Sequence, residues 1–314
     1  MNKYPHIDAF YQVAKYATKR GIGKVQYEGT VKLHGTNGGV KVTVTGEVTC
    51  QSHNRKLSVE NDNYGFAKWV LNTPERVAFF REEAGDYLDL YGGEEVTFFG
   101  EFIGAGINHG CAIHQLPDKQ FVLFNVLVGE TLRSCGTASL PEFNIYNVSS
   151  STVFVVTVDF NHPELSVDTL NMYTLEVENE CPWGKKFGVS GLGEGIVWKP
   201  VNPLLGSELF FKTKGDKHKY MKSTLARAKA PVTENTLDFV KQFVTVEVLE
   251  QGIDYLKEMG KALDRSSTGD YLAFVCSDVA RESADTLEAN GLTWKQVNGL
   301  VSTKARQFFF DYIG

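Results

Sequence analysis

The chain has 314 residues and a formal net charge of -6; 42% of its residues are hydrophobic and 22% are charged. This length allows about two domains and at least one sizeable core. There is no low-complexity tract, no apolar run long enough to cross a membrane and no N-terminal signal pattern, so we expect a cytoplasmic protein without membrane contact.

Charge and cysteine content narrow the classes of function. Five cysteines without a C-x-x-C pair argue for reduced thiols and against a disulfide framework or a zinc ribbon. Because the net charge is negative, any contact with nucleic acid must come from a local basic patch. Basic residues between 212 and 229 alternate with aromatic ones and form a candidate patch, although those beyond Lys214 fit a solvated helix face equally well.

Hydrophobic spacing predicts the elements in chain order. The first 20 residues have helical spacing that ends at two glycines, and helical spacing returns at 64–83, with a break near Pro74, and at 162–178. Strand patterns are predicted at 25–53, 96–103, 121–128, 145–148, 153–158, 193–200 and 209–214.

Beyond Pro231 the pattern is helical only, with glycines as breaks. We therefore place a domain boundary near 229–235. The prediction is an α+β protein with a first domain over 1–230 and a small all-helical C-terminal domain over 231–314.

Lys32 stands between a β-prone run and a glycine-rich turn. Close backbone at such a point can hold an amine against a bound phosphate, where the amine can act as a nucleophile. The same segment also fits an ordinary exposed lysine beside a hairpin, so the downstream residues must decide between the two.

Four downstream residues give Lys32 a chemical context. Glu101 and Glu194 lie in strand patterns with apolar neighbours, where a carboxylate needs a partner or a ligand. Another predicted strand ends on Lys212 and Lys214. An attacking amine, carboxylates for ribose hydroxyls and a divalent metal, and paired lysines at a reacting phosphate together indicate a nucleoside triphosphate site.

Five segments follow one another along the chain: Lys32 to Gly35 with Asn37, Phe99 to Phe102, Phe121 to Val126, Glu194 to Val197, and Lys212 to Lys214. In this order they resemble the covalent nucleotidyltransferase superfamily of polynucleotide ligases and capping enzymes. His34, where DNA ligases usually have Asp, and the helical tail resemble RNA ligases of the phage T4 RNA ligase 2 and kinetoplastid editing ligase type. The resemblance implies a nucleotidyltransferase domain whose antiparallel sheets enclose the nucleotide.

The resemblance also implies roles for single residues. Lys32 would attack the α-phosphorus of ATP and hold AMP as a phosphoramidate, with Lys212 and Lys214 at the α-phosphate. Glu101 would bind the ribose. The other implied contacts are Phe124 stacked on adenine, Glu194 on Mg²⁺ or Mn²⁺, Arg55 or its neighbour Lys56 on phosphate, and His34, Gly35 and Asn37 around the phosphate or in the later steps. Asn125 departs from the family, because relatives often have Asp there.

The implied activity is ATP-dependent sealing of RNA 3′-hydroxyl and 5′-phosphate ends, by a monomer whose C-terminal domain helps to engage the RNA. The compact arrangement suggests a phage source. Two alternatives remain: a DNA ligase or GTP-dependent capping enzyme of the same superfamily, and a non-catalytic nucleic-acid-binding descendant.

Overall fold

The computed structural model describes residues 1–215, 235–289 and 291–314. Its strands are β1 (Asp8–Ala9), β2 (Lys24–Lys32), β3 (Thr36–Thr43), β4 (Val48–Ser52), β5 (Lys56–Leu57), β6 (Glu95–Ile103), β7 (Gln120–Val128), β8 (Thr131–Arg133), β9 (Ile145–Asn147), β10 (Val153–Asp159), β11 (Gly195–Pro200) and β12 (Phe211–Lys214). Its α-helices are α1 (Phe10–Lys19), α2 (Phe66–Leu71), α3 (Pro74–Tyr91), α4 (Val167–Asn179), α5 (Pro182–Lys186), α6 (Asn235–Phe243), α7 (Val246–Glu258), α8 (Thr268–Glu282), α9 (Ala284–Ala289) and α10 (Trp294–Ile313).

The first sheet has the strand order β1-β12-β11-β2-β10. All neighbours are antiparallel except β1 and β12. Buried and exposed residues alternate along much of β2, as expected for a strand with one face on a core. Helices α1 and α4 pack against the sheet, and large aromatic side chains such as Tyr27, Trp198 and Phe211 fill the space beneath it.

The second sheet has the order β5-β4-β3-β6-β7-β8, with β9 added in parallel to β7. Strands β6 and β7 are buried along most of their length, which explains their nearly continuous apolar sequences. Helices α2 and α3 cover this sheet, with Phe66 and Phe80 in its core.

The short link of residues 33–35 carries the chain from β2 in the first sheet to β3 in the second. Lys32 is the last residue of β2. It therefore lies where the chain passes from one sheet to the other, and residues of both sheets can surround it.

The C-terminal residues form helices around a core of their own. The rings of Tyr271 and Phe309 stack there with centroids 4.5 Å apart. Helices α7 and α8 also touch the strand-rich part of the chain: the Tyr64 hydroxyl donates to Asp254 at 2.5 Å, and Lys212 donates to Glu282 at 2.7 Å.

The predicted α+β architecture of antiparallel sheets followed by C-terminal helices is confirmed. The predicted helix at 162–178 begins as an α-helix only at Val167, after a short 3₁₀ turn that starts at Pro163. The basic residues from 217 to 229 and all of the proposed domain boundary at 229–235 except residue 235 lie outside the described residues, so both stay predictions. In the described part of the chain, no helix combines the length and apolarity needed to cross a membrane.

Candidate active site

Strand register brings two of the predicted lysines together. Gly195 of β11 pairs with Lys32 of β2 on one side and with Lys214 of β12 on the other. Directly paired residues share a face of a sheet, so the two lysines lie in one row. Gly195 has φ +152°, and a Cβ there would lie 2.0 Å from the Thr213 carbonyl oxygen, so this close approach requires glycine.

Glu194 connects the cationic groups of this row. Its side chain is 2% exposed; Oε2 lies 2.6 Å from Lys32 Nζ and Oε1 lies 3.3 Å from Lys214 Nζ. Nδ1 of buried His34 is 3.5 Å from Oε2. Burial opposes ionisation of Glu194, but Lys32 and Lys214 outweigh it and hold the pKa of the carboxyl well below its usual range.

The second sheet contributes Glu101 and Asn37, which are directly paired on β6 and β3. Oε1 of Glu101 accepts a hydrogen bond from the Gly35 amide at 3.0 Å. Burial, together with the nearby charge of Glu194, raises the pKa of Glu101 to about 7, although Lys32 acts in the opposite direction. This carboxyl therefore changes charge near neutral pH.

An apolar cavity of about 150 Å³ opens beside Lys32. Phe124 of β7 and Tyr4 line it, with ring centroids 4.9 Å apart, and Asn37 and Glu101 border it as well. The cavity has the size and lining to take a flat, mainly apolar group, with the Lys32 amine at its edge.

Lys199 also lines this cavity, although its position in the sequence predicted no role for it. Its ammonium donates to the Phe124 carbonyl at 2.8 Å and to Asn125 Oδ1 at 2.7 Å, and the Tyr4 hydroxyl donates to the same Asn125 oxygen at 2.7 Å. Burial lowers the pKa of Lys199 to about 8. The sequence feature that could have identified Lys199 is its single positive charge within an otherwise apolar strand pattern.

A second cavity, of about 360 Å³, shares Lys32, Asn37 and Glu101 with the first and extends in another direction, towards α7 and α8. His34, Gly35 and Glu194 line it as well. We call this second cavity the interhelical cleft.

Lys212 and Arg55 are engaged elsewhere. The ammonium of Lys212, 12% exposed, contacts Glu282 of α8. The Arg55 guanidinium donates to the Glu258 carbonyl, to Asn61 and to the Asp62 carbonyl. Neither residue lines the cavities beside Lys32, and the structure does not bring Arg55 together with the other predicted site residues.

The RNA ligase family matches this chain over residues 25–223. This match covers more than half of the chain and includes Lys32, Glu101, Phe124, Glu194 and Lys214. The chain belongs to the RNA ligase family.

Solved structures of a Naegleria gruberi RNA ligase are similar to this chain. A mutant with ATP and Mn is 15% identical, with a TM-score of 0.45, and the match covers 68% of this chain and 56% of that one. A mutant with AMP and Mn is 16% identical, with a TM-score of 0.44 and the same coverage. The enzyme with PPi is 16% identical, with a TM-score of 0.43 and again the same coverage.

The matched region thus spans little more than half the length of those structures. No curated protein sequence matches this chain.

Proposed function

We propose that this chain is an ATP-dependent RNA ligase that carries AMP on Lys32 during the reaction. The observation that supports this most is the arrangement around that amine. Lys32 Nζ lies 2.6 Å from buried Glu194 and borders the apolar cavity that contains Phe124. A positioned amine beside a cavity for a base, with further cationic groups close by, is what nucleotidyl transfer to lysine requires.

In the first step, Lys32 Nζ attacks the α-phosphorus of ATP. A phosphorus–nitrogen bond forms, the bond from that phosphorus to the bridging oxygen breaks, and pyrophosphate leaves with the electron pair. The lysine loses one proton before the attack and a second as the phosphoramidate forms, and both protons pass to solvent. Glu194, whose Oε2 lies 2.6 Å from Lys32 Nζ, orients the amine for this attack.

Other residues would hold the nucleotide. Phe124 offers a ring for the adenine, Glu101 can accept from ribose hydroxyls, and the backbone of Gly35 and the side chain of Asn37 would lie beside the phosphates. Lys212 and Lys214 would neutralise charge on the α-phosphate. Lys212 could take this role only after its ion pair with Glu282 breaks.

A divalent cation fits this donor set through one carboxylate. In the described residues no group of three or more metal-binding side chains forms a cage, but Mg²⁺ is commonly held by one or two carboxylates and substrate phosphates. Glu194 would hold it, since Oε2 is released when Lys32 turns to the phosphorus. Bound there, the ion supplies charge neutralisation at the phosphates.

The later steps pass AMP to an RNA end and then join two ends. A 5′-phosphate oxygen of RNA attacks the phosphorus of lysyl-AMP, the phosphorus–nitrogen bond breaks, and the Lys32 nitrogen leaves as an amine after taking a proton from solvent. The 3′-hydroxyl oxygen then attacks the RNA 5′-phosphorus, a proton leaves that hydroxyl, and AMP departs. His34, in contact with Glu194, would position groups in these steps.

The test is covalent labelling with ATP that carries the label on its α-phosphate, in the presence of Mg²⁺. We expect label on the unaltered protein and none on Lys32→Ala. Lys24→Ala is the matched control, because Lys24 begins the same strand and is 73% exposed. Absence of label from the unaltered protein, or equal label on Lys32→Ala, would overturn the proposal.

Labelling with ATP or GTP, together with a separate joining assay on a panel of nucleic acids, tests the finer assignment to the T4 RNA ligase 2 type. We expect ATP, not GTP, to label Lys32, and nicked or broken RNA, not nicked DNA or diphosphate-ended RNA, to be the substrate. Retained labelling by GTP would instead indicate a capping enzyme, and joining of nicked DNA would indicate a DNA ligase.

We further propose that residues 1–230 form the adenylyltransferase domain and residues 231–314 an RNA-engaging domain.

A further inference from the structure

A further cavity, of about 240 Å³, adjoins the cavity that contains Phe124. We call these two the rear cavity and the Phe124 cavity. Strands of both sheets line the rear cavity, and its lining includes Glu28, Asn125, Arg133, Asn147 and Pro200. The two cavities share four lining residues, which are Thr30, Phe124, Val148 and Lys199. These four residues therefore lie at the boundary between the cavities.

Strand register places the two cavities one after the other. Gly195 of β11 pairs with Lys32 of β2, and Lys199 pairs with Glu28 four residues away along both strands. Alternate residues of a strand share a face, so one face of β2 presents Lys32, Thr30 and Glu28 in turn. Lys32 and Thr30 line the Phe124 cavity, whereas Thr30 and Glu28 line the rear cavity. At about 3.3 Å per residue, Lys199 lies roughly 13 Å along the strands from the row of Lys32. The rear cavity is thus at the end remote from Lys32.

The Lys199 side chain crosses from the first sheet to the second at this boundary. Its ammonium donates to the Phe124 carbonyl at 2.8 Å and to Asn125 Oδ1 at 2.7 Å. Strand β6 pairs with Leu123 and then with Asn125, so Phe124 is the extra residue of a β-bulge and its carbonyl is free to accept from outside the ladder. Hydrogen bonds from a charged donor are among the strong ones, so the ammonium is costly to displace.

The geometry of adenine decides which part of the base would meet Lys199. In the proposed reaction the α-phosphate lies at Lys32 and the base stacks on Phe124. The edge of adenine that carries N1 and the exocyclic N6 is opposite N9, which bears the ribose. A base that enters the Phe124 cavity from the Lys32 side therefore turns this edge towards Lys199. A group attached to N6 would need the space that the Lys199 side chain fills.

We propose that Lys199 closes the Phe124 cavity beyond the adenine and so excludes ATP analogues that carry a bulky group on N6. The inference rests on the proposed ligase function and assigns the selection of the base to this residue. An N6 group must displace the ammonium from its acceptors, and one hydrogen bond from a charged donor corresponds to roughly tenfold to a hundredfold in binding. Without the Lys199 side chain the two cavities would join. The group would then extend into the rear cavity, whose lining includes the exposed residues Glu28 and Ser134.

The test compares ATP with N6-benzyl-ATP, each with Mg²⁺, as the source of the label on Lys32. Intact-protein mass spectrometry distinguishes the two adducts. The measured quantity is the ratio of the two nucleotide concentrations that give half-maximal labelling. We expect the unaltered protein to need roughly tenfold to a hundredfold more N6-benzyl-ATP than ATP. For Lys199→Ala we expect this ratio to fall close to one.

The matched control is Lys24→Ala, which removes a 73% exposed lysine of β2 and should keep the ratio of the unaltered protein. Because both nucleotides are compared in one protein sample, partial unfolding of a variant leaves the ratio interpretable. If Lys199→Ala is labelled by neither nucleotide, Val148→Ala decides, since it shortens another side chain at the boundary and should lower the ratio.

Equal use of the two nucleotides by the unaltered protein would overturn the inference, and so would an unchanged ratio in the deciding variant. Failure of ATP itself to label the unaltered protein would instead overturn the ligase function.

Discussion

The ion pair between Lys212 and Glu282 joins the C-terminal helices to the strand that carries two of the proposed catalytic lysines. Its atoms are 2.7 Å apart, and the side chains are 12% and 7% exposed. Burial opposes ionisation of Glu282, but Lys212 and Lys214 lower its pKa from 4.5 to about 2. Such a shift corresponds to about 3 kcal/mol of stabilisation at neutral pH.

Desolvation of the lysine offsets part of this gain, because burial lowers the pKa of Lys212 despite its carboxylate partner. We therefore expect Glu282→Gln to lower the free energy of unfolding at pH 7 by about 2 to 3 kcal/mol. Urea unfolding followed by circular dichroism measures this change. The single variant Lys212→Met and the double variant complete the cycle that measures the coupling of the pair.

The pH dependence has a defined sign. The folded-state pKa of Glu282 lies below 4.5, so its stabilisation is complete above pH 4.5 and is lost as the pH falls towards 2. The difference in the free energy of unfolding between the unaltered protein and Glu282→Gln should accordingly become smaller as the pH falls below 4.5.

The control for this prediction is Glu180→Gln. Glu180 and Lys185 make an ion pair of 2.6 Å, but their side chains are 44% and 68% exposed, and exposed pairs add little stability. If Glu282→Gln destabilised the protein no more than Glu180→Gln does, the argument from burial would be refuted.

Three further predictions concern the site. Gly195→Ala should abolish labelling of Lys32. The added Cβ would lie 2.0 Å from the Thr213 carbonyl oxygen, so the strand next to Glu194 must move. The control is Gly299→Ala, whose added Cβ meets no neighbouring side chain or distant backbone within 4 Å, and this variant should be labelled normally. Phe124→Ala should weaken ATP binding roughly 5- to 100-fold if the ring stacks on adenine, as measured by the ATP concentration for half-maximal labelling; an unchanged value would contradict the stacking role. Because the pKa of Glu101 is about 7, its carboxylate forms as the pH rises from 6 to 8, so the Michaelis constant for ATP should fall over that range, and Glu101→Gln should show a flatter profile.

Several features of this protein follow from its sequence alone. Alternating and continuous apolar patterns predict most of the strands, since a strand must bury one or both faces. Lys32, Glu101, Glu194 and Lys214 are also predicted as a group, because their chemical types and order along the chain match one kind of reaction. The RNA ligase family match confirms the class of protein that this order indicates.

Other features depend on contacts between distant parts of the chain. Asn54 meets Glu258 across 204 positions, and Lys212 meets Glu282 across 70; local spacing contains no information about such pairs. In the sequence, Lys199 is a single charged residue in a strand pattern. Only the folded structure places its ammonium against the Phe124 carbonyl. The sequence thus determined the proposed reactive groups and their strands, whereas the packing of α7 and α8 against those strands decided which side chains lie beside them in the interhelical cleft.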